Sequence, residues 1–180
     1  MQPDQAQADQ AKTTAVDPAV ADLRTQVKNL LKSRAMLMAA LLDELEPEMG
    51  LERAEALLRR VMHKRSEGAG KRFFSDCAPS NMPALRDRFI DFLPDHGGLF
   101  EIEVAQCDAR KLDLKFHTCP IKEAYEEAKL SPERMQVLLR IAGGGDVGLF
   151  EGAGFAIRND TWAPGGQGCC HLHVQPRSGS

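Results

Sequence analysis

LFEIEVAQCDARKLDLKFHTC, residues 99–119, decides the fold class of this chain. Phe100, Ile102 and Val104 alternate with polar residues, and so do Leu112, Leu114 and Phe116. A period of two predicts a strand with one buried face in each segment, and the short DARK turn joins them as a β-hairpin. The same parity sends Lys115, His117 and Cys119 to the opposite face.

Upstream the period changes to that of a helix. Asp17 and Pro18 predict a helix start, as N-cap and first residue. Leu23, Val27, Leu30, Leu31, Met38, Leu41, Leu42 and Leu45 keep helical spacing, and Pro47 with Gly50 is expected to end the run. A second helix is expected from about Leu51 to Lys64, with SEGAGKR as a loop, and a third from Asn81 to Phe92. Residues 1–18, rich in Gln, Ala and Asp, are expected to be a disordered tail.

Downstream, CPIKEAYEEAKL and SPERMQVLLRIA open like helices, each with Pro in the first turn and the second with Ser131 as N-cap. The GGGD run is expected to break the second. GLFEGAGFAIRND and CCHLHVQP then read as two further strands joined by WAPGGQG. The fold class is α+β: N-terminal helices followed by a small antiparallel sheet of two hairpins with intervening helices. Residues 19–175 form the expected domain, with a helical part at 19–93 and a short flexible tail at 176–180.

The chain has 180 residues, a net charge of −3 and 43% hydrophobic residues, enough for one sizeable core. Mixed charge and few aromatics argue against nucleic acid as a partner. The longest apolar run, AMLMAALL, is too short to cross a bilayer. The N-terminal residues lack the pattern of a targeting segment, and a cytoplasmic protein is expected. Five cysteines without scaffold spacing read as thiols. The apolar stripe of Leu30, Leu31, Met38, Leu41 and Leu42 suits either packing within the chain or a homo-oligomer through the N-terminal helices.

The chemistry concentrates in GQGCCHLHV, residues 166–174. As an extended strand it puts Cys169, His171 and His173 on one face and Cys170, Leu172 and Val174 on the other. Three readings stay open. The first set, with Cys119 or His117 from the neighbouring strand, has the residue types that hold zinc or another divalent metal. Cys119, just ahead of a helix, suits a nucleophile whose thiolate the helix N-terminus favours. Both sets also suit a strand with no chemistry, with Cys170 as a small buried hydrophobe. Asp146 and Glu151 are the acid–base candidates, since a carboxyl group among glycines and apolar residues is held protonated if it is buried.

Cys119-Pro120 opening a helix, the LSPE helix start, Asp146 ahead of FEGAGF, and the terminal GCCHLHV together resemble the L-2-amino-thiazoline-4-carboxylic acid hydrolase family, over roughly residues 90–175 with a weaker helical match upstream. The resemblance implies a hydrolase that opens a small cyclic amidine or isothiourea by breaking carbon–nitrogen or carbon–sulfur bonds. It implies a small substrate bearing a carboxylate. It places Cys119, Cys170, His171, Asp146 and Glu151 as catalytic candidates. Cys119, Cys169, His171 and His173 are the ligand set if the protein is a metalloenzyme; otherwise no cofactor is implied. The competing function is a non-catalytic metal-binding or thiol-sensing protein built on the same residues.

Overall fold

The computed structural model describes residues 17–177. The expected tails at 1–18 and 176–180 lie almost wholly outside that range. Five helices and four strands follow in the order α1 (Pro18–Met49), α2 (Leu51–Phe74), α3 (Met82–Phe92), β1 (Ile102–Cys107), β2 (Leu112–Phe116), α4 (Pro120–Glu127), α5 (Pro132–Gly152), β3 (Phe155–Thr161) and β4 (Cys170–Pro176). This is an α+β fold with an open antiparallel sheet of order β1-β2-β4-β3. The two hairpins join through β2 and β4, which pair from Leu112 opposite Val174 to Phe116 opposite Cys170.

Helix starts follow local chemistry. Asp17 caps α1 by accepting the Ala19 N–H at 2.9 Å, and Asn81 and Ser131 cap α3 and α5 in the same way. Leu112, Leu114, Leu172 and Val174 are fully buried, as alternation requires. The helices cover that face of the sheet, and the other face carries Lys115, Arg158 and Asp160 to solvent.

Three expectations are corrected. Pro47 lies inside α1, and Gly50 alone ends that helix, with φ +81°. SEGAGKR is helical and belongs to α2. GGGD and GLFEG do not break α5 or start a strand; α5 runs through both. On β1, Val104 shares the face of its partner Leu114, as the alternation predicts, yet it is 39% exposed because β1 is an edge strand.

The second and third corrections share one cause. A Cβ on Gly144, Gly148 or Gly152 would lie 2.8, 2.2 or 2.3 Å from the carbonyl oxygens of Arg59, His63 and Glu67. Both rows step by four residues, so α2 and α5 run parallel with backbone against backbone. Gly70 of α2 answers from the other side: its Cβ would meet the Leu149 carbonyl oxygen at 1.9 Å. Each glycine costs about 1 kcal/mol of helix propensity, and the close contact offsets that cost.

On α1, Leu42 is fully buried and Leu31 and Met38 are half-buried, whereas Leu30 is 70% exposed. No described helix is long and apolar enough to cross a membrane.

Gly148→Ala should destabilise the protein by roughly 1–3 kcal/mol, the usual cost of overpacking, as measured by urea unfolding. Gly145→Ala is the control. Its Cβ would approach only Ser66 Oγ at 3.3 Å and Met62 Cε at 3.6 Å, so it should be neutral or slightly stabilising. Equal behaviour of the two variants would dismiss the close-packed ridge.

Candidate active site

One cavity of about 500 Å³ lies between the helices and the inner face of the sheet. Apolar walls come from Leu31, Phe89, Phe100, Phe116 and Leu139. Its polar groups include Arg34 of α1, Arg65 of α2, Asp146 of α5, Asn159 of β3, and the thiols of Cys119, Cys169 and Cys170.

Local backbone explains how three thiols meet there. Cys119 is the N-cap of α4, in extended conformation, and turns away from the parity of β2, which ends at Phe116. Gly168 has φ +72° and passes so close to the Phe116 carbonyl that a Cβ would sit 2.9 Å from its oxygen. That turn lets the Cys169 N–H donate to the same carbonyl at 2.9 Å and sends the Cys169 side chain into the cavity beside Cys119. Cys170 begins β4 on the inner face.

The expected grouping of Cys169 with His171 and His173 is therefore corrected. The thiols face the cavity, while the two imidazoles project from the outer face with Lys115 and Asp113 opposite them. Cys119, Cys169, His171 and His173 do not form one ligand set, and His171 is not beside Cys170. His117 lies on the surface, 2.8 Å from Glu103 Oε2. Glu151 is also away from the cavity, on α5, where its Oε2 is 2.7 Å from His63 Nε2. Of the two expected acid–base residues the structure brings only Asp146 to the thiols.

Asp146 is deep in the cavity wall. Desolvation raises its carboxyl pKa to about 7, against the opposing effects of the Asn159 hydrogen bond and the Arg34 charge. Asn159 Nδ2 donates to Asp146 Oδ2 at 3.0 Å, and Asn159 Oδ1 is buried with no partner. Gly143 makes this approach possible, since a Cβ there would meet Thr161 Cγ2 at 2.8 Å and Asn159 Nδ2 at 3.0 Å.

The thiols are all held protonated. Cys119 is pushed well above the ordinary thiol range by its contact with Cys169 and by burial; the N–H groups of Lys122 and Ile121 at the start of α4 act in the opposite direction. The Cys119 contact favours a thiolate at Cys169, yet Cys170, burial and the Asp146 charge raise its pKa overall. At Cys170 the Cys169 contact likewise favours ionisation and is outweighed by burial, Asp146 and Cys119.

Arg34 and Arg65 were not singled out from the sequence. Arg34 is exposed by area yet lines the cavity mouth, where burial, then Arg65, lowers its pKa and Asp146 draws on it from within. Its signal is a cation in an apolar stripe, between Leu31 and Met38. Tyr125 is a second omission. It is fully buried, its hydroxyl has no partner, and burial followed by the Cys119 charge raises its pKa.

The family model for L-2-amino-thiazoline-4-carboxylic acid hydrolase matches residues 28–174. The chain belongs to this hydrolase family. The match reaches well upstream of residue 90, taking in most of α1 and all of α2, and so includes the helices that carry Arg34 and Arg65 to the cavity. Comparison with curated proteins yields no match. For a member of the hydrolase family, the cavity holds three classes of group that such chemistry uses: thiols, a neutral carboxyl group and cations.

The raised pKa of Asp146 carries a stability consequence. Near pH 3 the folded and unfolded chains both hold its proton, since the ordinary value is 3.8. From about pH 4 to about pH 7 only the folded chain holds it, so stability falls as pH rises, and the cost is complete above about pH 7. Asp146→Asn removes this contribution. Urea unfolding at about pH 5 and about pH 8 should show wild type losing more stability than the variant. Equal losses would return Asp146 to the ordinary carboxyl range.

Proposed function

We propose that this chain hydrolyses a small cyclic isothiourea bearing a carboxylate, of the 2-amino-thiazoline-4-carboxylate type, with Cys119 as nucleophile and Asp146 as acid and then base. The observation that carries this reading is the sharing of one cavity by Cys119, a carboxyl group titrating near 7, and two arginines. A carboxylate on the substrate meets Arg34 and Arg65 at the mouth. Its exocyclic amino group donates to the free Asn159 Oδ1. This leaves ring carbon C2 turned toward the thiols.

The reaction runs in two stages. The Cys119 sulfur bonds to C2 while its proton passes to ring nitrogen. The C2–sulfur bond then breaks, and Asp146 gives its proton to the departing ring sulfur. The result is a positively charged isothiouronium on Cys119 facing the Asp146 carboxylate. Water next attacks the same carbon and Asp146 takes one of its protons. The second water proton returns to the Cys119 sulfur as the C–S bond to the enzyme breaks. One water is consumed, both C–N bonds survive, and the product is a carbamoyl-cysteine. A carboxyl group with pKa about 7 suits both roles near neutral pH. Protonated thiols match a first stage in which the substrate nitrogen receives the proton.

This assigns no role in bond-making to His171, Glu151 or Cys170, and none to a metal. Cys169 and Cys170 line the wall beside the nucleophile. A thiol-sensing or metal-binding protein on the same residues would turn over no cyclic amidine.

Turnover of 2-amino-thiazoline-4-carboxylate by purified protein is the first test. Cys119→Ser should lower kcat by at least about 1,000-fold, and Asp146→Asn by about 100- to 10,000-fold, the range for a lost general acid. Wild-type kcat/KM should fall above about pH 7 as Asp146 loses its proton. Arg34→Met should raise KM more than it lowers kcat. Full activity of Cys119→Ser would rule out the covalent route, and no turnover across a panel of cyclic amidines would rule out the substrate class.

A further inference from the structure

A second cluster lies on the outer face of the sheet, across the strands from the cavity. Asp113 of β2 and His171 and His173 of β4 each offer a ligand atom, and these atoms all lie within 4.8 Å of one another. We propose that Asp113, His171 and His173 bind a divalent first-row transition ion of the zinc type, at a site separate from the thiol cavity.

The register builds the cluster. Asp113 stands opposite His173, and His171 stands opposite Lys115 and Asp160 on adjacent strands. Positions 171 and 173 share one face of β4, and their ring centroids are 3.9 Å apart. His173 Nδ1 and Asp113 Oδ1 are 2.9 Å apart. Two ligand atoms on one tetrahedral ion with bonds of about 2.0–2.1 Å stand about 3.3 Å apart, so a small separation admits the ion.

The surrounding groups match those found around bound metals. A ligating histidine usually donates its other ring N–H to a carboxylate. His173 Nε2 lies 3.1 Å from Asp160 Oδ2, in position to do so. Asp113 Oδ2 is held by Lys111 Nζ at 2.6 Å, which leaves Oδ1 for the ion. Asp113 is itself buried, at 6% exposure. His171 Nε2 is buried and has no hydrogen-bond partner. A buried ring nitrogen without a partner is costly, and a metal ion satisfies it. Two imidazoles and one carboxylate suit zinc and its neighbours better than magnesium or calcium, which prefer oxygen throughout. The ion would staple β2 to β4 behind the cavity and touch no substrate.

Cobalt(II) and zinc titration of the full, untagged chain tests this, with binding as the readout and no dependence on the hydrolytic reading. One cobalt per chain is expected, without a thiolate-to-cobalt charge-transfer band. Zinc should displace it. His171→Ala should weaken binding by at least about 100-fold, while Cys119→Ser should leave it unchanged. Hyperfine-shifted resonances from two histidine rings in cobalt-loaded wild type supply a readout that needs no variant. A thiolate band, cobalt retained by a folded His171→Ala variant, or no uptake at all would each overturn the site.

Discussion

Backbone contact between α2 and α5 is the constraint on which the rest of the molecule depends. Gly144, Gly148 and Gly152 leave no room for a side chain against the carbonyls of Arg59, His63 and Glu67. Two helices this close cannot slide, because each glycine faces one backbone position. The neighbouring residues of α5 are therefore fixed in angle: Gly143 admits Asn159 and Thr161 of β3, and Asp146 turns to the cavity. The glycines look like punctuation in the sequence, yet they hold the Asp146 carboxyl group in place.

The cavity is polarised from mouth to floor. Cations stand at the mouth on α1 and α2, and a carboxyl group with three thiols stands within. Burial acts on all four inner groups in one direction, raising their pKa values and favouring their neutral forms. Neutral protonated groups can donate a proton to an incoming substrate, whereas ionised ones would require counter-ions that the apolar walls do not supply. The charge of the bound molecule thus becomes part of the site's own electrostatic balance.

The strands were the most legible part of the sequence. Alternation at Leu112, Leu114 and Phe116 and at Leu172 and Val174 is a local signal of burial, and the structure agrees. Helix interiors with glycine were misread, because a helix-breaking residue registers its local cost and not the partner helix that offsets it. SEGAGKR and GGGD both fell to that error, and with GGGD went the placement of Glu151 on a strand. The site was half legible. Cys119, Cys170 and Asp146 do meet in one cavity, but parity could not foresee the turn at Gly168 that parts Cys169 from the histidines. Arg34 could be noticed as a charge in an apolar stripe, but its destination depends on how α1 crosses the other helices.

That crossing has a consequence for any shorter version of the protein. A fragment starting near Pro94 would keep the whole sheet, α4, α5, every thiol of the cavity and Asp146. It would lack Leu31, Arg34, Met62 and Arg65, which form the opposite wall. The thiols would then open to bulk water and Asp146 would return to an ordinary acid. The glycine row of α5 would become a bare groove of backbone. Reactivity here is therefore a property of two chain halves pressed together, and neither half carries a diminished share of it alone.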